Sequence, residues 1–129
     1  MTISQLAYLV FEVSDPAAWH AFGTDVLGMA ESSSASDGSF SLRHDDRANR
    51  IFVTPGPADD LLAIGWEVAG DDALEALLTR LTDAGVAFEE GSPAACALRG
   101  VKRLVYTADP AGIPNELVLS PARAATEFA

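Results

Sequence analysis

Two segments of this chain spell nearly the same strand: Leu9-Val10-Phe11-Glu12-Val13 returns 55 residues later as Ile64-Gly65-Trp66-Glu67-Val68. A repeat of this length fixes architecture more firmly than local propensity does, because each copy must fold into the same unit and stack its apolar face on another. Both copies run into a helical pattern. In the first, Asp15 is the expected N-cap and Pro16 the first helical residue; Trp19, Phe22, Val26 and Leu27 follow at helical spacing, and Gly28 stops the helix. In the second, Asp71 or Asp72 caps, Leu74, Leu77, Leu78 and Leu81 form the apolar stripe, and Gly85 ends it.

Three short strands are then expected in each copy. The first set is 29–33, 39–43 and 50–54, parted by Ser36-Asp37-Gly38 and Asp45-Asp46-Arg47; the second is 87–90, 103–107 and 116–119, parted by a loop from Gly91 to Gly100 and by Asp109-Pro110-Ala111-Gly112. The closing strands correspond as well, Asn49-Arg50-Ile51-Phe52-Val53-Thr54-Pro55 matching Asn115-Glu116-Leu117-Val118-Leu119-Ser120-Pro121. The expected fold class is therefore α+β, built from two tandem βαβββ modules. Module 1 spans about 3–55 and module 2 about 62–120, with Pro55-Gly56-Pro57 opening the hinge between them. Together they make one domain over 1–121, and 122–129 forms a tail or interdomain connector.

Composition narrows the function. With 129 residues, 49% of them hydrophobic, there is material for one core. Eight Lys and Arg against nineteen Asp and Glu leave a formal charge of −11, a field that repels phosphate backbones and anionic lipid, so neither nucleic acid nor a membrane surface is an expected partner. A single cysteine makes no internal disulfide, and the first residues lack a signal-peptide pattern, which makes the cytoplasm the expected compartment.

At this point the sequence resembles a known family. Paired βαβββ modules look like the vicinal oxygen chelate superfamily of glyoxalase I, bleomycin-resistance proteins and type I extradiol dioxygenases. The phrases Phe11 to Trp19, Leu42-Arg43 with Asp45-Asp46-Arg47 and Arg50-Ile51, Gly65-Trp66-Glu67-Val68, Arg99-Gly100-Val101, and Asp109-Pro110 with Gly112 and Glu116 are similar, in order, to the amino-terminal domain of 2,3-dihydroxybiphenyl-type extradiol dioxygenases. The resemblance implies aromatic catabolism by an oxidoreductase that opens a catecholic ring with Fe(II) and O2. It also implies that the iron ligands, two His and one Glu, lie in a carboxy-terminal domain beyond this chain, so that this domain is itself structural. The ending from Ser120 to Ala129 resembles the connector into that domain.

The superfamily places metal ligands on the first and last strands of its modules. Carried over, the first-strand positions fall on Tyr8 and Ala63 and the last-strand positions on Arg50 and Glu116. Of these vestigial positions only Glu116 is metal-competent, whereas non-haem Fe(II) sites usually need two His and a carboxylate. No catalytic, cofactor or metal site is therefore expected in this chain, and Fe(II) belongs to the complete family enzyme. Opposite charges at the Arg50 and Glu116 positions suggest that the two pair with each other.

Other candidates read more simply as structure. His20 lies in the first helix and His44 before a turn, with no partner at ligand spacing. Cys96 has no base beside it. Arg43, Arg47 and Arg50 suit a carboxylate or phosphate, but Asp37, Asp45 and Asp46 are nearer ion-pair partners. Trp19, Phe22, Trp66 and Phe88 are expected in the core, and Phe128 is expected to be exposed on a tail whose docking partner is absent. Two functions remain, the amino-terminal domain of a dioxygenase or a stand-alone bleomycin-resistance-like binding protein whose acidity suits a cationic ligand, beside an orphan whose edge strands exchange with a second copy in an intertwined dimer. Either leaves an apolar face that a homodimer or a carboxy-terminal catalytic domain would cover, with an aromatic small molecule as a further candidate partner.

Overall fold

A computed structural model describes residues 3–127, so the expectation for Phe128 lies outside the described residues. The chain is α+β, with eight strands and three helices among those residues. They are β1 (Ile3–Val13), α1 (Pro16–Ala21), β2 (Ala30–Ser34), β3 (Phe40–Arg43), β4 (Ile51–Pro55), β5 (Asp60–Val68), α2 (Asp71–Asp83), β6 (Phe88–Glu90), α3 (Pro93–Arg99), β7 (Arg103–Ala108) and β8 (Pro114–Leu119). Two compact units result. One joins the chain up to Ala7 to Ala63–Pro121, and the other joins Tyr8–Leu62 to the tail from Ala122, so the division falls inside β1 and inside β5. No described helix is long and apolar enough to cross a membrane.

In the unit that carries module 1 the strand order is β2-β3-β4-β1, with β1 and β4 parallel and the other neighbours antiparallel. Val13, Phe40, Leu42 and Val53 form its buried core, with Phe11, Trp19, Met29 and Ile51 packed around them. The helix starts as the sequence predicts: Asp15 accepts from the Ala18 amide and Pro16 sits in the first turn. It then widens into a π-helical turn, Phe22–Val26, closed by Leu27 N–H to Phe22 O at 3.0 Å. Gly23 is buried there against the Leu42 side chain, which fills the space a Cβ would need.

The unit that carries module 2 repeats the plan as β5-β8-β7-β6, with β5 and β8 parallel. Val68, Leu74, Leu78, Val105, Leu117 and Leu119 make its core, and Trp66, Leu77 and Leu81 pack against it. The N-cap of α2 is Gly70. Asp71 and Asp72 instead fill the first turn, where their charge suits the helix dipole.

Three expectations change. The Gly91 to Gly100 loop contains α3, whose N-cap Ser92 accepts from the Ala95 amide, whose first residue is Pro93, and whose stop is Gly100 in the left-handed conformation. These capping signals are local and legible; the helix, at seven residues, is short enough for its weak apolar periodicity to hide it. Phe22 and Phe88 are not core residues: they are 45% and 40% exposed. Nor does the tail lack a docking site. Ala48 N–H donates to Ala122 O and Ala124 N–H to Asp46 O, both at 2.9 Å, and Arg43 Nη2 donates to Thr126 Oγ1 at 3.1 Å.

Candidate functional site

In each unit, the face of the sheet away from the helix carries the expected ligand positions. Alternation along a strand sends Phe11 and Val13 to the helix side and Tyr8 and Val10 to the other. Tyr8 is 2% exposed and meets Phe52 edge-to-face at 5.1 Å. Strand register then revises one correspondence. Phe11 pairs with Val53 and its repeat Trp66 with Leu117, so the module 1 residue standing where Glu116 stands in module 2 is Phe52, and Arg50 lies one residue before β4. A matching of Asn49 with Asn115 by sequence alone slips by two residues, which preserves the face of the strand and hides the error.

Arg50 holds Asp45 in a fork, Nε to Oδ1 at 2.9 Å and Nη2 to Oδ2 at 2.6 Å. This guanidinium keeps the Asp45 carboxyl at about 2, below its ordinary 3.8, against the opposing effect of partial burial. A depressed carboxylate pKa contributes stability that is fully present above pH 3.8 and is lost as pH falls through about 2. The pair is a third exposed on the Asp side, so screening limits its worth to about 1 kcal/mol. Asp45→Asn should therefore flatten the acid limb of a stability profile between pH 4 and 2, and an unchanged limb would show that Asp45 gains nothing from Arg50.

In module 2, Ala63 is buried on β5 and Glu116 is 2% exposed on β8. Arg99, at the last turn of α3, donates Nε to Glu116 Oε1 at 2.9 Å and Nη2 to Oε2 at 3.2 Å. Tyr106 faces Glu116 across the β7–β8 ladder, and burial, with the Glu116 charge as a lesser cause, pushes its phenol up from 10.0. Arg50 and Glu116 thus each have a partner inside their own module. Sequence reasoning missed Arg99 in this role, although its place just before the stop Gly100 put it at a helix end.

The remaining candidates are engaged elsewhere. His20, half-buried on α1, lies 3.1 Å from Glu31 Oε1 and edge-on to Phe40. His44 is exposed beside a turn, and Cys96 is half-buried on α3. Arg47 donates to Asp46, as the ion-pair reading expects, while Arg43 donates to the Asp45 carbonyl and to the tail. The four sequence positions do not form a two-His, one-carboxylate set: Ala63 offers no donor atom, Arg50 is a cation, Tyr8 is a buried phenol packed on Phe52, and Glu116 accepts a guanidinium. Iron does not fit these residues.

Comparison with known proteins gives one reading. The family model described as dihydroxybiphenyl dioxygenase BphC D1 matches residues 6–56. A biphenyl-2,3-diol 1,2-dioxygenase of Pseudomonas sp. (strain KKS102) is 43% identical over 122 residues, 95% of this chain and 41% of that protein. An iron-dependent extradiol dioxygenase of Rhodococcus jostii (strain RHA1) is 38% identical over 112 residues, 87% of this chain and 37% of that one. The crystal structure of a catechol 2,3-dioxygenase superposes with a TM-score of 0.92 at 35% identity, covering 99% of this chain and 43% of that one. The chain thus spans about 40% of the length of the curated relatives it matches. It shares the vicinal oxygen chelate fold of extradiol dioxygenases, and its similarity there is to their amino-terminal domain.

Proposed function

We propose that residues 1–121 are the amino-terminal, non-metal domain of an extradiol ring-cleavage dioxygenase acting on catecholic aromatics, and that 122–129 is the connector to a carboxy-terminal domain that holds Fe(II). The observation that carries this reading is the alignment of 95% of this chain with only 41% of a biphenyl-2,3-diol 1,2-dioxygenase. The residues at the ligand positions agree with it, because Ala63, Phe52 and the Arg99-held Glu116 shape a sheet face rather than a coordination sphere. The domain's own work is structural: it presents a folded surface and directs the chain leaving Pro121, whose next residues are tied down by Asp46 and Arg43.

Anaerobic reconstitution of the 129-residue chain with Fe(II), followed by a 2,3-dihydroxybiphenyl assay in air, should give neither stoichiometric iron nor yellow ring-fission product. Fusing the carboxy-terminal domain of a relative after Ala129 should give both. Turnover by the isolated chain would overturn the proposal.

The exposed apolar run Phe22, Val26 and Leu27, 45%, 70% and 51% accessible, favours self-association of the isolated chain. Sedimentation at tens of micromolar should show twice 13.5 kDa, and Val26→Asp with Leu27→Asp should return the monomer mass. A monomer in the unmutated chain would remove the homodimer from this reading.

A further inference from the structure

In module 1 aromatic rings pack where the helix meets the sheet, with Phe22 at the exposed rim. Phe11 stacks on Trp19 with centroids 5.1 Å apart, and Phe22 meets Trp19 edge-on at 6.0 Å. The 55-residue repeat places Trp66, Leu74 and Leu77 at the corresponding positions of module 2. The strand keeps its ring while both helical rings become leucine. Leu74 is buried in the core, and Trp66 lines a cleft of about 530 Å³ together with Leu77, Leu81, Val86 and Leu117, with Thr107 and Asp109 as polar lining. That volume lies within the range of about 300–1,000 Å³ usual for small-molecule sites.

The Trp66 ring is held in place. Its Nε1–H donates to Asn115 Oδ1 at 2.7 Å, and Asn115 Nδ2 donates in turn to Asp109 Oδ2 at 3.2 Å and to Ile113 O at 3.0 Å. A ring fixed by its own hydrogen bond loses little freedom when a second ring lies on it, which is the preorganisation that favours binding.

We propose that this cleft binds an uncharged planar aromatic molecule of one or two rings, which packs on Trp66. Offset and edge-on ring pairs gain beyond their buried area, and the leucine walls cover the rest of an apolar ring system. The polar edge selects a hydroxyl substituent. The Asp109 carboxylate and the Thr107 oxygen accept hydrogen bonds, the Thr107 proton being given to Ala87 O at 3.0 Å. Asp109 and the net charge of −11 oppose an anionic ligand, and a cation would have to shed water among Leu77, Leu81 and Leu117. The inference rests on module 2 alone and does not depend on whether a longer protein cleaves a catechol.

The probe is 2-hydroxybiphenyl, which has one hydroxyl and cannot chelate. The chain has two tryptophans, so its two indole N–H resonances report the two modules separately. Titration should shift the Trp66 resonance saturably, with a dissociation constant on the order of 0.1–1 mM for a ligand of this size, and leave that of Trp19 in place. Leu77→Phe, which restores the module 1 pattern, should weaken binding at least tenfold. Val86→Trp, at an exposed position on the cleft wall, should do the same and decides the matter if Leu77→Phe does not fold. The proposal is overturned by no saturable Trp66 shift, by unchanged affinity in the folded variants, or by equal binding of the saturated analogue 2-cyclohexylcyclohexanol.

Discussion

Arg99→Ala should cost about 3–5 kcal/mol of folding stability, the usual penalty for removing one partner of a buried charge pair. The reason lies in the surroundings of Glu116. Its carboxylate is 2% exposed, and Arg99 meets both of its oxygens in the fork geometry that suits a guanidinium. Deleting Arg99 withdraws both hydrogen bonds while leaving the carboxylate within the β8 strand. Urea unfolding of the variant measures the loss. The double variant Arg99→Met with Glu116→Leu should recover to within about 1 kcal/mol of the parent, because an apolar pair of similar volume carries no desolvation cost. A loss below about 1 kcal/mol in Arg99→Ala alone would show that α3 is not fastened to β8 through this pair.

Trp66→Ala and Trp19→Ala should each cost about 3 kcal/mol, the lower end of the range for truncating a large aromatic, since both rings are half-buried. Trp66 packs on the Val68, Leu74 and Leu117 core and holds Asn115, whereas Trp19 lies against Phe11 in the module 1 core. Phe22→Ala and Phe88→Ala, at exposed positions, should stay below about 1 kcal/mol. Thermal or urea denaturation of the four variants gives the comparison, and equal losses at all four would mean that helix-to-sheet packing does not separate these aromatics.

The repeat was legible because it is written in short-range code. Asp15 and Pro16 start α1, Gly28 and Gly85 take the positive φ that ends each helical segment, and alternation marks β1 and β5, all through forces acting within a few residues. The ion pairs of Arg47 with Asp46 and of Arg50 with Asp45 were legible for the same reason, since one and five residues separate the partners. The candidate site was legible only as a set of strand positions. Tyr8, Ala63 and Glu116 were placed on their strands correctly, but the partner of Glu116 is 17 residues away on a helix read as a loop.

Sequence by itself determined the class of fold and the tandem βαβββ order, because these follow from periodicity and turn chemistry. Tertiary structure decided three other things: that Phe52 rather than Arg50 stands where Glu116 does, that Phe22 and Phe88 face out, and that 122–127 folds back on module 1. Each depends on which distant backbone a strand pairs with. A slip of two residues leaves the pattern of faces unchanged, so the pattern does not encode the register; packing and cross-strand hydrogen bonds settle it.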